Sequence, residues 1–306
     1  MAARDDLFER IHYFVAALTL EVIKDDNIGD SVQNGTAQVL RRGLGIVGFN
    51  ILEDFIKART AECLSAIAQS GISFSNLPEK LREAATFNAL KALNFQCELV
   101  KKDSAPDAFA LVQDHAFQIA SSRDVAFRIS PFSFASSGSN VTSNDVSEII
   151  SSFGFQQGWN KLKEISDSVG GGILDLAQSY RNAASRRHKA AHTAGFNYEL
   201  QWLLSLPREI RAISASLDLA LTSRCYQVQQ RPNRSFETGG EPARKLRFLQ
   251  PTERGAYAEC LSIGGRSLKN WPSLATGISE LLSKVQTKGE ILIVLDRTKR
   301  VESWHS

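Results

Sequence analysis

Apolar residues recur at helical spacing through the first two-thirds of the chain. Leu7, Ile11, Phe14, Val15, Leu18 and Val22 predict a first helix. A polar turn over 25–30 separates it from a long second helix, predicted from Thr36 to Ala68, with Leu44, Val47, Ile51, Leu52 and Phe55 on one face. A third is predicted over 77–100, opening on Pro78-Glu79, and a fourth over 106–120 with Pro106 in its first turn. Residues 121–144 carry Ser-Pro, Ser-Ser-Gly-Ser and Thr-Ser-Asn, so they read as an exposed loop, with a short strand over Val125–Ile129. Helix resumes over 145–153 behind an Asn144 cap and again over Trp159–Ser168. Gly170-Gly171-Gly172 reads as a hinge before a helix from Ile173 to Thr193. Another helix begins after Gly195, and Pro207 suits the first turn of a final long one carrying Ile210, Ile213, Leu217 and Leu221.

The pattern changes after Arg224. Tyr226–Gln230, Leu246–Leu249, Ala256–Cys260, Ile291–Leu295 and Val301–His305 alternate or run apolar as strands do, and 274–285 has helical spacing. The expected fold is therefore mainly α: a helical bundle over 1–224, followed by a small α+β module over 225–306. There is no internal repeat.

Composition adds little to this. The 306 residues are 43% hydrophobic and 23% charged, ordinary for a globular protein with a substantial core. The net charge of +3 divides unevenly: residues 225–306 hold 13 Lys/Arg against 8 Asp/Glu, which leaves −2 for the first 224. Cys63, Cys97, Cys225 and Cys260 show no C-x-x-C spacing, which argues against a zinc cluster or a disulfide framework and fits a reducing cytoplasm. Met1–Leu20 is interrupted by charges, unlike a signal peptide, and no apolar run is long enough to span a membrane. A cytoplasmic protein without a membrane partner is expected.

The chemistry concentrates in Arg187-His188-Lys189-Ala190-Ala191-His192. A histidine beside a fixed cation is suited to phosphodiester cleavage, the one moving protons and the other stabilising charge. Spacing alone is weak, since Arg300 and His305 repeat it; that pair lies in a strand pattern, where residues five apart face opposite ways. On the helix, Ile173, Ala177, Tyr180, Ala184 and Ala191 form the expected inward stripe. At about 100° per residue, Arg187 and His192 then stand about 140° apart on either edge of that stripe. Arg181, Arg186 and Lys189 add positive charge that would attract phosphate. The plain alternative is a solvated basic helix end favoured by the macrodipole. His188 and His192 also have an i, i+4 metal-ligand spacing, but no Glu follows His188 and no Cys lies near, so no metal or other cofactor is assigned.

Other candidates read as structural. Glu53 and Asp54 sit beside an apolar stripe, where a solvated or salt-bridged face is expected. The serine-rich 135–143 has no His/Asp partner for a nucleophile, and the glycine triplet lacks the Lys-Ser/Thr of a phosphate loop. His12 and His115 are expected on helix faces without chemistry, and Tyr198 and Trp202 to pack rather than stack on bases.

The hexapeptide resembles the motif of the HEPN family: Arg, a polar residue, three more, then His. The segment from Arg42 to Phe95, with Gly43-Leu44-Gly45-Ile46-Val47 and Leu52-Glu53-Asp54-Phe55-Ile56, is similar to the HEPN branch named for its ribosomal-L-PSP association. The resemblance covers roughly residues 1–224; Thr193 departs from it, since many relatives carry Gly there. It implies a HEPN-like helical bundle that forms a homodimer with one composite site. It implies a metal-independent endoribonuclease, with RNA as substrate and 2′,3′-cyclic phosphate and 5′-OH ends as products. His192 is implied as the general base or acid, Arg187 as the stabiliser of phosphorane charge, and His188 as a phosphate-orienting group; Lys189 and Arg186 would assist and Arg181 would contact RNA. Relatives often act as toxins or in phage defence, which implies an antitoxin or regulatory partner. Many HEPN domains are instead non-catalytic modules that bind a partner protein or nucleotide, although these usually lose the Arg or the His.

Overall fold

The computed structural model describes residues 2–25, 31–124, 126–138, 140–232, 236 and 243–306. The predicted turn over 25–30 and the polar stretch over 231–243 lie largely outside these residues. The chain is mostly helical: α1 (Ala2–Ala17), α2 (Ser31–Ala68), α3 (Glu79–Glu83), α4 (Ala89–Asp103), α5 (Ala105–Ala120), α6 (Ser143–Ser152), α7 (Trp159–Ser168), α8 (Leu176–His192), α9 (Leu200–Gln230) and α10 (Leu274–Lys288). A five-stranded sheet follows α9, built from β1 (Leu246–Pro251), β2 (Tyr257–Cys260), β3 (Lys269–Trp271), β4 (Ile291–Leu295) and β5 (Val301–His305). Among the described residues no helix is long and apolar enough to cross a membrane.

Several local expectations are corrected. α3 and α4 join through a π-helical turn over Ala84–Asn88. α6 is capped by Thr142, not Asn144: the Thr142 hydroxyl accepts the Asp145 N–H at 3.1 Å while the Asp145 carboxylate accepts the Thr142 N–H at 2.6 Å. Residues 126–129 form no strand, because no neighbouring strand supplies a ladder; the Arg128 N–H goes instead to the Ser121 hydroxyl at 2.8 Å. The helix predicted after Gly195, the one predicted from Pro207 and the strand predicted over Tyr226–Gln230 are all one helix, α9. Pro207 lies inside it, where the absent N–H removes one helical hydrogen bond.

Contacts divide the chain into two compact units. The first comprises Met1–Glu9, Phe49–Lys161 and Ala220–Pro242. Here Glu53 is 4% exposed and accepts the Val141 N–H at 2.6 Å, so of the solvated or salt-bridged face expected for it the solvated one is excluded. Arg224, 1% exposed, donates to the Phe153 and Gly154 carbonyls and lies over the rings of Phe155 and Phe236, each 5.1 Å away.

The second unit comprises Arg10–Gly48, Leu162–Leu219 and Ala243–Ser306, so the sheet and α8 share it. The strand order is β3-β2-β1-β4-β5, with β1 and β4 parallel and the other pairs antiparallel. On one face Leu249, Leu292 and Val294 pack with Trp271 against Leu281 and Val285 of α10. That face also buries charge, where Arg247 of β1 donates to Glu290 at 2.8 Å and to Glu259, and Lys284 reaches Glu259 at 3.1 Å. On the opposite face Trp304 of β5, paired with Ile293, is fully buried and donates its indole N–H to Asp218 of α9 at 2.6 Å. Gly170 has φ +78°, and a Cβ there would lie 2.5 Å from the Lys299 carbonyl oxygen; its own carbonyl accepts the Val301 N–H at 3.2 Å. The glycine triplet is thus the seat of the β4–β5 turn.

Candidate functional site

α8 is capped by Asp175, whose carboxylate accepts the Gln178 N–H at 2.8 Å, and ends at His192. Its buried residues are Leu176, Tyr180, Ala183 and Ala190, while Ala191 is exposed and Ala184 only half-buried. The buried stripe is therefore turned by about 70° from the predicted one, counted at ~100° per residue. The larger Leu176 and Tyr180 set the packing, and the alanines that suggested a seam on Ala184 and Ala191 face outward. Arg187 consequently falls within the buried stripe rather than at its edge. It is half-buried, with Nε out of solvent and without a hydrogen-bond partner among the described residues. Its guanidinium is not consumed by any ion pair recorded there.

His188 and His192 lie one turn apart on the solvent side, both exposed, with ring centroids 4.7 Å apart and planes inclined at 50°. Ala184 and Ala191 stand between them and Arg187 around the helix axis. The arrangement is a shallow strip of small residues with a cation along one margin and two imidazoles along the other. Nothing on α8 itself fills that strip.

The remaining motif residues diverge. Arg186 lies over the Trp202 ring at 4.9 Å and Lys189 over the Phe196 ring at 6.0 Å. Arg181 is exposed and donates from Nε and a terminal nitrogen to Gln178 Oε1, at 3.2 and 2.8 Å. Phe196, Tyr198 and Trp202 form a cluster with centroids 5.9–6.2 Å apart. Tyr198 is 1% exposed, and burial pushes its phenol up to about 12. It packs rather than offering a face to bases. Arg300 and His305, the second Arg-His spacing, lie at the start of the sheet's last hairpin strand and near its end, where Arg300 abuts Gly172.

One face of α2 holds the end of α8 in place. Arg42 donates to the Ala190 carbonyl at 3.2 and 2.9 Å and to the Ala194 carbonyl at 2.7 Å. Gln38 accepts the Tyr198 N–H at 3.0 Å and donates to the Asn197 side chain. Gly45 admits the Tyr198 ring, whose Cε2 would lie 2.2 Å from a Cβ at that position. Gln38, Arg42 and Gly45 follow i, i+4, i+7 spacing, so one helix face grips 190–198. Sequence reasoning did not identify this clamp. A basic residue on a helix carries no sign of its acceptor, and Gly43-Leu44-Gly45 drew notice only as a family likeness. Gly43, by contrast, meets nothing within 4 Å.

Elsewhere the chemistry is bland. His115 is buried on α5, bonded to the Ser130 hydroxyl at 2.8 Å and stacked on Phe132, and burial pushes its pKa down. Burial pushes the Cys260 thiol up. No cluster of three or more metal-ligating side chains occurs among the described residues. Two open grooves in the first unit, of about 700 and 880 Å³, include no motif residue. No family model, curated protein or solved structure matches the chain.

Proposed function

We propose that the chain is a metal-independent endoribonuclease of HEPN type, with α8 as its catalytic helix. The observation that supports it most is the arrangement of α8: an Arg187 without an ion-pair partner among the described residues and a solvent-facing His192, on opposite margins of an open strip of alanines. In the proposed reaction His192 takes the proton of a ribose 2′-OH as that oxygen attacks the adjacent phosphorus. The P–O5′ bond breaks, leaving a 2′,3′-cyclic phosphate, and a protonated imidazole returns a proton to the departing 5′ oxygen. Arg187 offsets the charge on the phosphorane oxygens. The 2′-OH requirement limits the substrate to RNA. His188 orients the phosphate from the same margin as His192.

Arg187 and His192 do not converge on one point of their own helix. A second copy of α8, laid across the alanine strip, would set the partner's His192 opposite Arg187. The reading therefore includes a homodimer with a composite site. A toxin or phage-defence role, with a neutralising partner, is the setting proposed for such an activity.

The test is cleavage of total RNA by purified protein in excess EDTA. Cyclic-phosphate ends are expected from the wild type, with a loss of roughly 10²–10⁴-fold in His192→Ala and Arg187→Ala. Both variants should keep the wild-type helical circular dichroism. Failure of the wild type to cut, or equal cutting by all three proteins, refutes the reading.

A further inference from the structure

We propose that His188 and His192 form a surface chelate for a divalent transition metal of the zinc class, and that its occupation silences α8. The second half rests on the ribonuclease reading; the first does not. Both rings are exposed, sit one turn apart and have no hydrogen-bond partner among the described residues. Their ligating nitrogens are uncommitted. Two imidazoles on one zinc, each with a Zn–N bond of ~2.0–2.1 Å, place their ring centroids about 4.5–5.2 Å apart at ordinary bond angles. The centroids here are already 4.7 Å apart.

The neighbouring cations have contacts of their own. Arg181 is turned back to Gln178, Lys189 lies over the Phe196 ring at 6.0 Å, and Arg187 stands across the alanine strip with its Nε buried. The end of a helix favours positive charge through its carbonyl dipoles. No third His, Cys, Asp or Glu joins the pair among the described residues, so two or more coordination positions are left for water or a phosphate oxygen. Such a site is exchangeable, unlike the four-ligand sites that hold structural zinc. Imidazole ligands select copper and zinc over magnesium and calcium. A metal bound at His192 takes the lone pair that proton transfer requires, so the ion acts as an inhibitor of the proposed chemistry.

Calorimetric titration of the metal-free full chain with zinc chloride tests the chelate. One equivalent is expected, with affinity falling on the order of tenfold or more in His188→Gln and in His192→Gln, and no heat from magnesium chloride. Zinc affinity unchanged in both variants, or no binding at millimolar zinc, overturns it. RNA cleavage by the wild type is then followed with zinc added and removed by EDTA; reversible loss supports the inhibitory role. Undiminished cleavage with zinc bound overturns that role and leaves the chelate standing. A wild type that never cuts RNA overturns the ribonuclease reading and the inhibition with it, while the titration still decides the metal site.

Discussion

Gly45 and Asp25 show how single residues fix this molecule. A methyl group at Gly45 meets a Tyr198 ring that is itself buried, so neither side gives easily. Gly45→Ala is expected to cost about 1–3 kcal/mol, the usual range for overpacking a filled site, measured as a lower denaturation midpoint. Asp25 is held below the usual carboxylate range, chiefly by its hydrogen bonds from Arg41 at 2.7 and 2.8 Å. Glu290 is lowered in the same way by Arg247. A depressed carboxylate stabilises the fold at pH above its unfolded value, and that contribution is lost as pH falls through the folded one. Stability is therefore expected to drop as pH falls below ~4. In Asp25→Asn the dependence should flatten; an unchanged acid limb in denaturation curves would contradict this. Neither residue advertised its role in the sequence. Asp25 was one letter in a polar turn, and Arg41 one of two adjacent arginines, of which one turns to an aspartate and the other to helix carbonyls.

At the scale of elements, α8 depends on α2 for the position of its last turn. Arg42→Ala removes three donor contacts from the Ala190 and Ala194 carbonyls, with an expected cost of about 1–2 kcal/mol for a half-exposed guanidinium. Amide hydrogen exchange over 188–194 should accelerate while exchange in α4 and α5 stays as it was; Arg42→Lys should restore part of the protection. Uniform protection in Arg42→Ala would show that the clamp is idle. The existence of α2, α5, α7, α8 and four of the five strands was legible from periodicity, because each has a well-formed apolar face. The misreadings share a cause. Local preference makes Pro207 a helix start and Tyr226–Gln230 a strand, whereas burial of Leu203, Leu206, Ile210 and Val228 holds one helix through both. The inward stripe of α8 is not legible from spacing because its small and apolar positions weigh alike there, although Leu176 and Tyr180 bury far more surface than any alanine. The motif itself was visible; its orientation on the helix was not.

At the scale of the whole molecule, the sheet is tied to the helices of its unit through Gly170 and Trp304. Gly170→Ala meets both a left-handed backbone and a carbonyl oxygen 2.5 Å away. The expected loss is at least ~1–3 kcal/mol from the backbone conformation alone, read by thermal denaturation, and it should fall equally on the signals of Trp304 and of α8. Independent unfolding of the sheet would contradict that coupling. Arg247→Met would leave Glu259 and Glu290 buried without their common cation, with an expected cost of roughly 3–5 kcal/mol. Replacing all three by apolar residues should recover most of it. These ties bear on the order in which the chain is made. β5 is synthesised after every helix described, yet it supplies the indole that reaches Asp218 and the N–H that reaches Gly170, six residues ahead of α8. While β5 is still on the ribosome, Asp218 and the Gly170 carbonyl lack the partners that it brings. A stalled chain ending before Val301 is accordingly expected to be open to protease around Gly170–Gly172, a stretch that closes only once translation has passed β5.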